Sequence, residues 1–271
     1  MQAEAPIATI AGAFSATAER YDAFAGSHPH LTRIREKVYA CVAEFVPAGA
    51  SLLELNAGTG TDAVALARRG HRVHATDIAA GMLARQRAKV ESAGLQDAVT
   101  VQECSFLDLD RVDGGPFDAA LSNLGGLNCT ADLAPVAAGL RRLVAPGGVA
   151  VLVVMPRICL WELALVLTGQ VRLATRRLRR GGTIAHLEGC HFPVHYFTPR
   201  QVVRAFAAGF DVLAVRGLSV LTPTLESKNL AIRHRRAYAA LAWLDDRLSP
   251  RRPFRAWGDF AVVVLRRRAE P

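Results

Sequence analysis

Residues 51 to 60, Ser-Leu-Leu-Glu-Leu-Asn-Ala-Gly-Thr-Gly, constrain the fold more than any other stretch of this 271-residue chain. The apolar run Leu52, Leu53 and Leu55 predicts a buried strand. Gly58 and Gly60 then let the backbone turn tightly and approach a ligand before a helix begins at about Thr61. That helix runs to Arg69 and is stopped by Gly70, a normal residue just past a helix C-terminus. A second strand, His71 to Thr76, follows, with Asp77 at its carboxyl end. A carboxylate there can accept hydrogen bonds from both hydroxyls of a ribose, and Glu54 at the end of the first strand can approach the same ligand. The pattern is a β-α-β unit with a nucleoside site at the sheet edge.

Glycine spacing alone separates nicotinamide dinucleotides from S-adenosylmethionine poorly, since Gly58-x-Gly60-x-x-Ala63 also passes for a degenerate dinucleotide fingerprint. No Gly-Lys-Ser/Thr phosphate loop is present. Reading acid-x-Gly-x-Gly-x-Gly onto Glu54, Asn56, Gly58 and Gly60 resembles motif I of the class I S-adenosylmethionine-dependent methyltransferases. Asn56 replaces the first glycine, and asparagine tolerates positive φ better than most residues. The likeness continues in the family's order. Asp77-Ile78-Ala79-Ala80-Gly81-Met82-Leu83 resembles the ribose-binding segment. Val99 to Phe106 resembles the third strand and the segment after it, with Ser105 where the family usually has an adenine-contacting Asp. Phe117 to Asn128 resembles the fourth strand and the loop that faces sulfonium and substrate, and Leu140 to Leu152, with Pro146-Gly147-Gly148, the helix, turn and fifth strand.

This resemblance covers residues 20 to 155 well and the remainder by architecture. It implies a doubly wound α/β fold: a mostly parallel, seven-stranded Rossmann-like sheet with an antiparallel last strand, a helical N-terminal segment and a lid insertion after strand five. It implies S-adenosylmethionine as cofactor, with Tyr21, Glu54, Asn56, Ala57, Gly58, Thr59, Gly60, Asp77, Ile78, Met82, Ser105, Phe106 and Asn123 as its binding residues. The implied reaction is in-line methyl transfer to a small-molecule O- or N-acceptor. Two alternatives stand beside it: a lipid or isoprenoid acceptor taken at a membrane surface, and a non-catalytic cofactor-binding regulator.

The organisation follows the same lines: 1–48 a helical segment and lid, 49–155 the cofactor core, 156–199 a substrate-cover insertion, 200–271 completion of the sheet by strands near Phe210 to Arg216 and Phe260 to Leu265. Five cysteines, odd in number and without a Cys-x-x-Cys pair, suggest neither a disulfide framework nor a zinc site, which suits a reducing cytoplasm. The N-terminus lacks the basic segment and apolar run of a secretory signal and should remain attached. The apolar stretch 148–171 is interrupted by Pro156, Arg157 and Glu162 and reads as strand then helix, not as a membrane span.

The insertion joins an apolar half, Ile158 to Leu167, to a basic half carrying Arg172, Arg176, Arg177, Arg179 and Arg180. Such a segment, 158–180, can lie on an anionic membrane, grip an anionic substrate, or pack as a lid helix with a solvated arginine face. The net charge of +9 also allows nucleic acid, but no Asn/Asp-Pro-Pro-Tyr motif or RNA-binding module is present, so no specific nucleic-acid partner is expected. Ala185 to Phe197 reads as extended chain, with His191, Pro193 and His195 on one face and Phe192, Val194 and Tyr196 on the other. His191, His195 and Tyr196 are the candidate catalytic residues, either histidine serving as general base or as a polar wall of the pocket. His186 lies apart from them in this reading and no carboxylate pair completes a ligand set, so no metal is expected.

Overall fold

The computed structural model describes residues 7–26, 28–224 and 233–269. Two helices, α1 (Ile7–Gly26) and α2 (Pro29–Phe45), precede the alternating unit β1 (Ser51–Leu55), α3 (Thr61–Ala67), β2 (Arg72–Asp77), α4 (Ala80–Ser92) and β3 (Val99–Glu103). The chain then crosses to β4 (Phe117–Ser122), α5 (Ala134–Leu143) and β5 (Val144–Val154), and ends its sheet with α8 (Pro199–Phe206), β8 (Phe210–Leu218) and β9 (Phe260–Arg267). The seven strands lie in the order β3-β2-β1-β4-β5-β9-β8. All neighbours are parallel as far as β5, and β9 runs antiparallel to both β5 and β8.

The order reverses between β1 and β4, and crossovers that leave in opposite directions open a crevice at the carboxyl ends of those two strands. Alternation along β1 buries Leu53 and Leu55 in one apolar layer and Leu52 in the other, with all three at or below 1% exposure. Each such side chain contributes roughly 1.5–3 kcal/mol of burial. This anchoring fixes the edge on which the site is built.

Two elements cover that edge. Helix α1 lies on α4, where Gly81 N donates to Ser15 Oγ at 3.2 Å, and a Cβ on Gly81 would meet the Ser15 carbonyl oxygen at 2.5 Å. The second cover is a hairpin of β6 (Thr183–Leu187) and β7 (Cys190–Val194), a correction to the single extended run expected for 185–197. Glu188 and Gly189 between the strands both have positive φ, the requirement of a type I′ two-residue turn. The hairpin pairs His186 with His191, ring centroids 4.7 Å apart, so His186 is not remote from the other histidines. Phe14 of α1 meets Phe192 of β7 with centroids 5.8 Å apart, and Arg20 pairs with Glu188 at 3.1 Å.

Between β5 and the hairpin the insertion is short helical turns, including α6 (Leu160–Ala164) and α7 (Val171–Ala174), and not one long amphipathic helix. Two of its arginines face inward. Arg177, 4% exposed, donates to Glu162 Oε1 (2.9 Å), Asp259 Oδ1 (2.7 Å) and the Asp259 carbonyl (2.8 Å), while Arg176 donates to both oxygens of Glu162. Cys159, Glu162 and Asp259 form the one group with metal-ligand spacing among the described residues, and Arg177 already engages both carboxylates. A further helix absent from the sequence reading, α9 (Arg235–Leu248), is held by Asp245, which accepts from the Val220 and Leu221 amides and pairs with Lys37 of α2. No described helix is long and apolar enough to cross a membrane.

Candidate active site

The turn after β1 adopts the backbone its sequence prescribes. Asn56, Gly58 and Gly60 have φ of 47°, 57° and 76°, and asparagine can stand first because its short side chain tolerates that region. The asparagine also ties two loops together: Nδ2 donates to the Asn123 carbonyl (3.2 Å) and Oδ1 accepts from Ser122 Oγ (2.7 Å), joining β1 to the end of β4. The two glycines differ in their surroundings. A Cβ on Gly60 would meet Gln86 Cγ at 2.6 Å, whereas one on Gly58 meets nothing within 4 Å and points into open space.

Asp77 faces that space. Its Oδ2 accepts from Gly58 N (2.8 Å) and its Oδ1 from Ala79 N (2.9 Å), which leaves further lone pairs on both oxygens. Burial raises its pKa, opposed by the backbone donors. Asp22 of α1 accepts from Thr59 Oγ1 and, at 2.8 Å, from Lys89 Nζ, so the N-terminal helix is tied to the glycine turn.

Beneath the turn lies a buried polar cluster. Asp62 accepts from Arg35 Nε (3.0 Å), Asn123 Nδ2 (3.0 Å) and the Tyr39 hydroxyl. Burial opposes the charge of Arg35, but Asp62 outweighs it and the guanidinium stays protonated with a raised pKa. Glu54, 1% exposed, lies in the same cluster, where burial and then Asp62 hold its pKa well above the usual carboxylate range. Its Oε2 makes no hydrogen bond.

Turn, acid and cluster line one cavity of ≈ 280 Å³. Of the residues expected from sequence, Tyr21, Asn56, Ala57, Gly58, Thr59, Asp77, Ile78, Met82, Phe106 and Asn123 lie in its wall. Glu54, Gly60 and Ser105 do not: Glu54 is beneath the wall, Gly60 packs on Gln86, and Ser105 Oγ accepts from the Leu107 amide while its neighbours Cys104 and Phe106 face the cavity.

His191, His195 and Tyr196 are also outside the wall. Strand alternation in β7 sends Phe192 and Val194 to the cavity, and the histidine-bearing face turns away. The His195 backbone instead donates from its N–H to the Asn128 carbonyl and accepts at its carbonyl from Asn128 Nδ2, and the Tyr196 hydroxyl lies 3.1 Å from Thr183 Oγ1. The cavity adds residues that the sequence reading missed: Arg35, Asp62, Ile10, Phe14, Cys129 and Met155. Arg35 had a signal, since it sits on the buried face of α2 beside Ile34, Val38 and Tyr39, where an arginine must find a partner.

Residues 52–148 match the family model described as a methyltransferase domain. Over that stretch, about a third of the chain, the sequence is similar to S-adenosylmethionine-dependent methyltransferases, and the seven-stranded sheet is that of their fold. An S-adenosyl-L-methionine-dependent Diels-Alderase of Neonectria sp. (strain DH2) is 29% identical over 119 residues, 44% of this chain and 43% of that one. A second such Diels-Alderase, from Talaromyces variabilis, is 30% identical over 44% of this chain and 40% of its own length. The matched stretch thus spans less than half of either relative. A tRNA 5-carboxymethoxyuridine methyltransferase of Escherichia coli (strain K12) is 25% identical across 83% of both chains. Among solved structures of this methyltransferase fold, the Burkholderia thailandensis 1,6-didemethyltoxoflavin-N1-methyltransferase, with 1,6-didemethyltoxoflavin and S-adenosylhomocysteine bound, superposes with a TM-score of 0.61 at 16% identity, covering 99% of this chain and 93% of that one.

Proposed function

We propose that this protein methylates an apolar small molecule, held in the same cavity as the cofactor and against α1 and β7. The observation that carries the reading is the polarity change along that cavity. Gly58, Asp77 and Arg35 line one end, and Ile10, Phe14, Met155, Phe192 and Val194 line the other.

The polar end fits the cofactor. The open space over Gly58 admits a ligand's backbone-close approach, the spare lone pairs of Asp77 suit a ribose diol, and the Arg35 guanidinium suits the carboxylate of an amino-acid moiety. Tyr21, Met82 and Phe106 would close around it. When bound, S-adenosylmethionine supplies a methyl group already activated by its sulfonium. The chain's own contribution is to bring the acceptor alongside and exclude water, which proximity makes worth roughly 7–11 kcal/mol.

The apolar end takes no proton. No histidine is among the described lining residues, and burial pushes Cys129 up to about 11. The acceptor therefore enters with its lone pair free, and the pH dependence of turnover follows the acceptor's own titration. Among the described lining residues no cation lies at this end, which suits a small molecule better than a polynucleotide, whose phosphates would demand several.

A second reading rests on the same lining. A cycloaddition moves no proton, and two curated relatives are named Diels-Alderases, so the cavity also suits cyclisation of an apolar substrate beside bound cofactor. Calorimetric titration with S-adenosylmethionine, S-adenosylhomocysteine and NADH in parallel tests the common basis; binding of NADH alone would overturn both readings. Mass spectrometry of products from an acceptor screen then separates them: a product one methyl heavier marks transfer, an isomer of unchanged mass marks cyclisation. Cofactor binding with neither product would leave a binding protein.

A further inference from the structure

We infer that the tip of the insertion, residues 165–180, is a docking surface for an anionic lipid bilayer. The first observation is a concentration of exposed apolar groups. Of the nine large hydrophobic side chains exposed among the described residues, five fall between 166 and 184: Val166, Leu167, Val171, Leu178 and Ile184. Leu167 is 89% exposed, more than any other large hydrophobic side chain among the described residues. These groups are not displayed by a frayed segment. Gly169 N donates to the Val166 carbonyl (3.0 Å), Gln170 N to that of Leu165 (3.1 Å), and Arg157 Nη2 to that of Leu178 (2.7 Å).

The second observation is charge. From 163 to 187 the chain has five arginines and no acid. Arg176 and Arg177 are consumed inside by Glu162 and Asp259 and bolt the segment to the body. Arg172, Arg179 and Arg180 remain exposed beside the apolar groups. Aliphatic side chains ringed by cations match the interfacial layer of an anionic membrane, where apolar groups enter the acyl boundary and arginines meet phosphates. A protein-binding patch is expected to be rich in Tyr, Trp, Phe and Met at its centre, and the exposed tip has none of these. The surface does not depend on which reaction the cavity supports.

Co-sedimentation of the full chain with phosphatidylcholine vesicles, pure or mixed with phosphatidylglycerol, tests the assignment. The wild type should bind the anionic vesicles at least about tenfold more tightly than the neutral ones. Arg179→Gln with Arg180→Gln should weaken that binding about thirtyfold, from roughly 1 kcal/mol per arginine. Leu167→Glu with Val171→Glu should abolish it, with the melting temperature and S-adenosylhomocysteine affinity unchanged because all four positions are exposed. Charge reversal at Arg200, exposed on α8, should leave it intact. The inference is overturned if the wild type stays in the supernatant at every composition, or if the Leu167 and Val171 pair leaves binding unaltered. It is also overturned if sedimentation velocity shows a dimer that this pair dissolves in the absence of lipid, since the patch would then be covered by a second copy.

Discussion

At one end of the cavity the wall is mostly backbone and short polar side chains: the left-handed turn at Asn56, Gly58 and Gly60, the amides that hold Asp77, and the Asn123 bridge to Asp62. At the other it is bulky side chain from elements distant in sequence: Ile10 and Phe14 from α1, Met155 after β5, Phe192 and Val194 from the hairpin. The first end is dictated locally, because a turn with three positive φ angles admits few residues and a strand end admits few directions. The second is dictated by packing, in which any apolar group of suitable volume can serve. One end is specified by conformation and the other by shape, and they should fail differently when altered.

The largest effect should come from beneath the polar end. Arg35→Ala leaves Asp62 buried beside Glu54 without its cation, and is expected to cost about 3–5 kcal/mol of stability, read from the urea midpoint. A variant of wild-type stability would show that the cluster is not an ion pair in solution. Next, Asp77→Ala should weaken S-adenosylhomocysteine about a hundredfold, from two lost hydrogen bonds to a charged group, without altering apolar ligands. Unchanged affinity by calorimetry would remove Asp77 from the cofactor site.

At the shape-specified end, Phe192→Leu should weaken binding of the dye N-phenylnaphthylamine by about fivefold, for the lost aromatic contact with Phe14, and leave S-adenosylhomocysteine within about twofold. Equal losses for both ligands would erase the distinction between the two ends. The smallest effect concerns Glu54. Its raised pKa keeps it protonated in the fold while the unfolded chain ionises, so stability is full below the ordinary glutamate range, near pH 4.3, and declines as pH rises. Glu54→Gln removes that decline; the melting temperature of the variant should gain on the wild type between pH 4 and 7, and parallel curves would refute the buried acid.

The same division explains what could be read from sequence. The β-α-β unit, the turn and Asp77 were legible because each rests on a local pattern: apolar runs, glycines at fixed offsets, an acid at a strand end; the seven-stranded sheet and its reversed final strand came only with the family resemblance. Asn56 was legible for its tolerance of positive φ, but its bridge to Ser122 and Asn123 is a tertiary contact with no signature. In β7 the period was right and the face was not: alternation separates His191 from Phe192 but does not say which looks inward, and burial favoured the aromatic face. Arg176 and Arg177 read as part of a basic face for a membrane, an anionic substrate or solvent, because their partners, Glu162 and Asp259, lie 14 and 82 residues away.

Helix α1 has a consequence that neither end shows alone. Ile10, Phe14 and Tyr21 are four and seven residues apart, hence on one face, and that face touches the apolar end through the first two and the polar end through the third. A ligand at either end thus meets the same helix, which is already held to α4 and to the glycine turn. By linkage, whatever factor a bound cofactor applies to the affinity for an apolar ligand, that ligand applies to the affinity for cofactor.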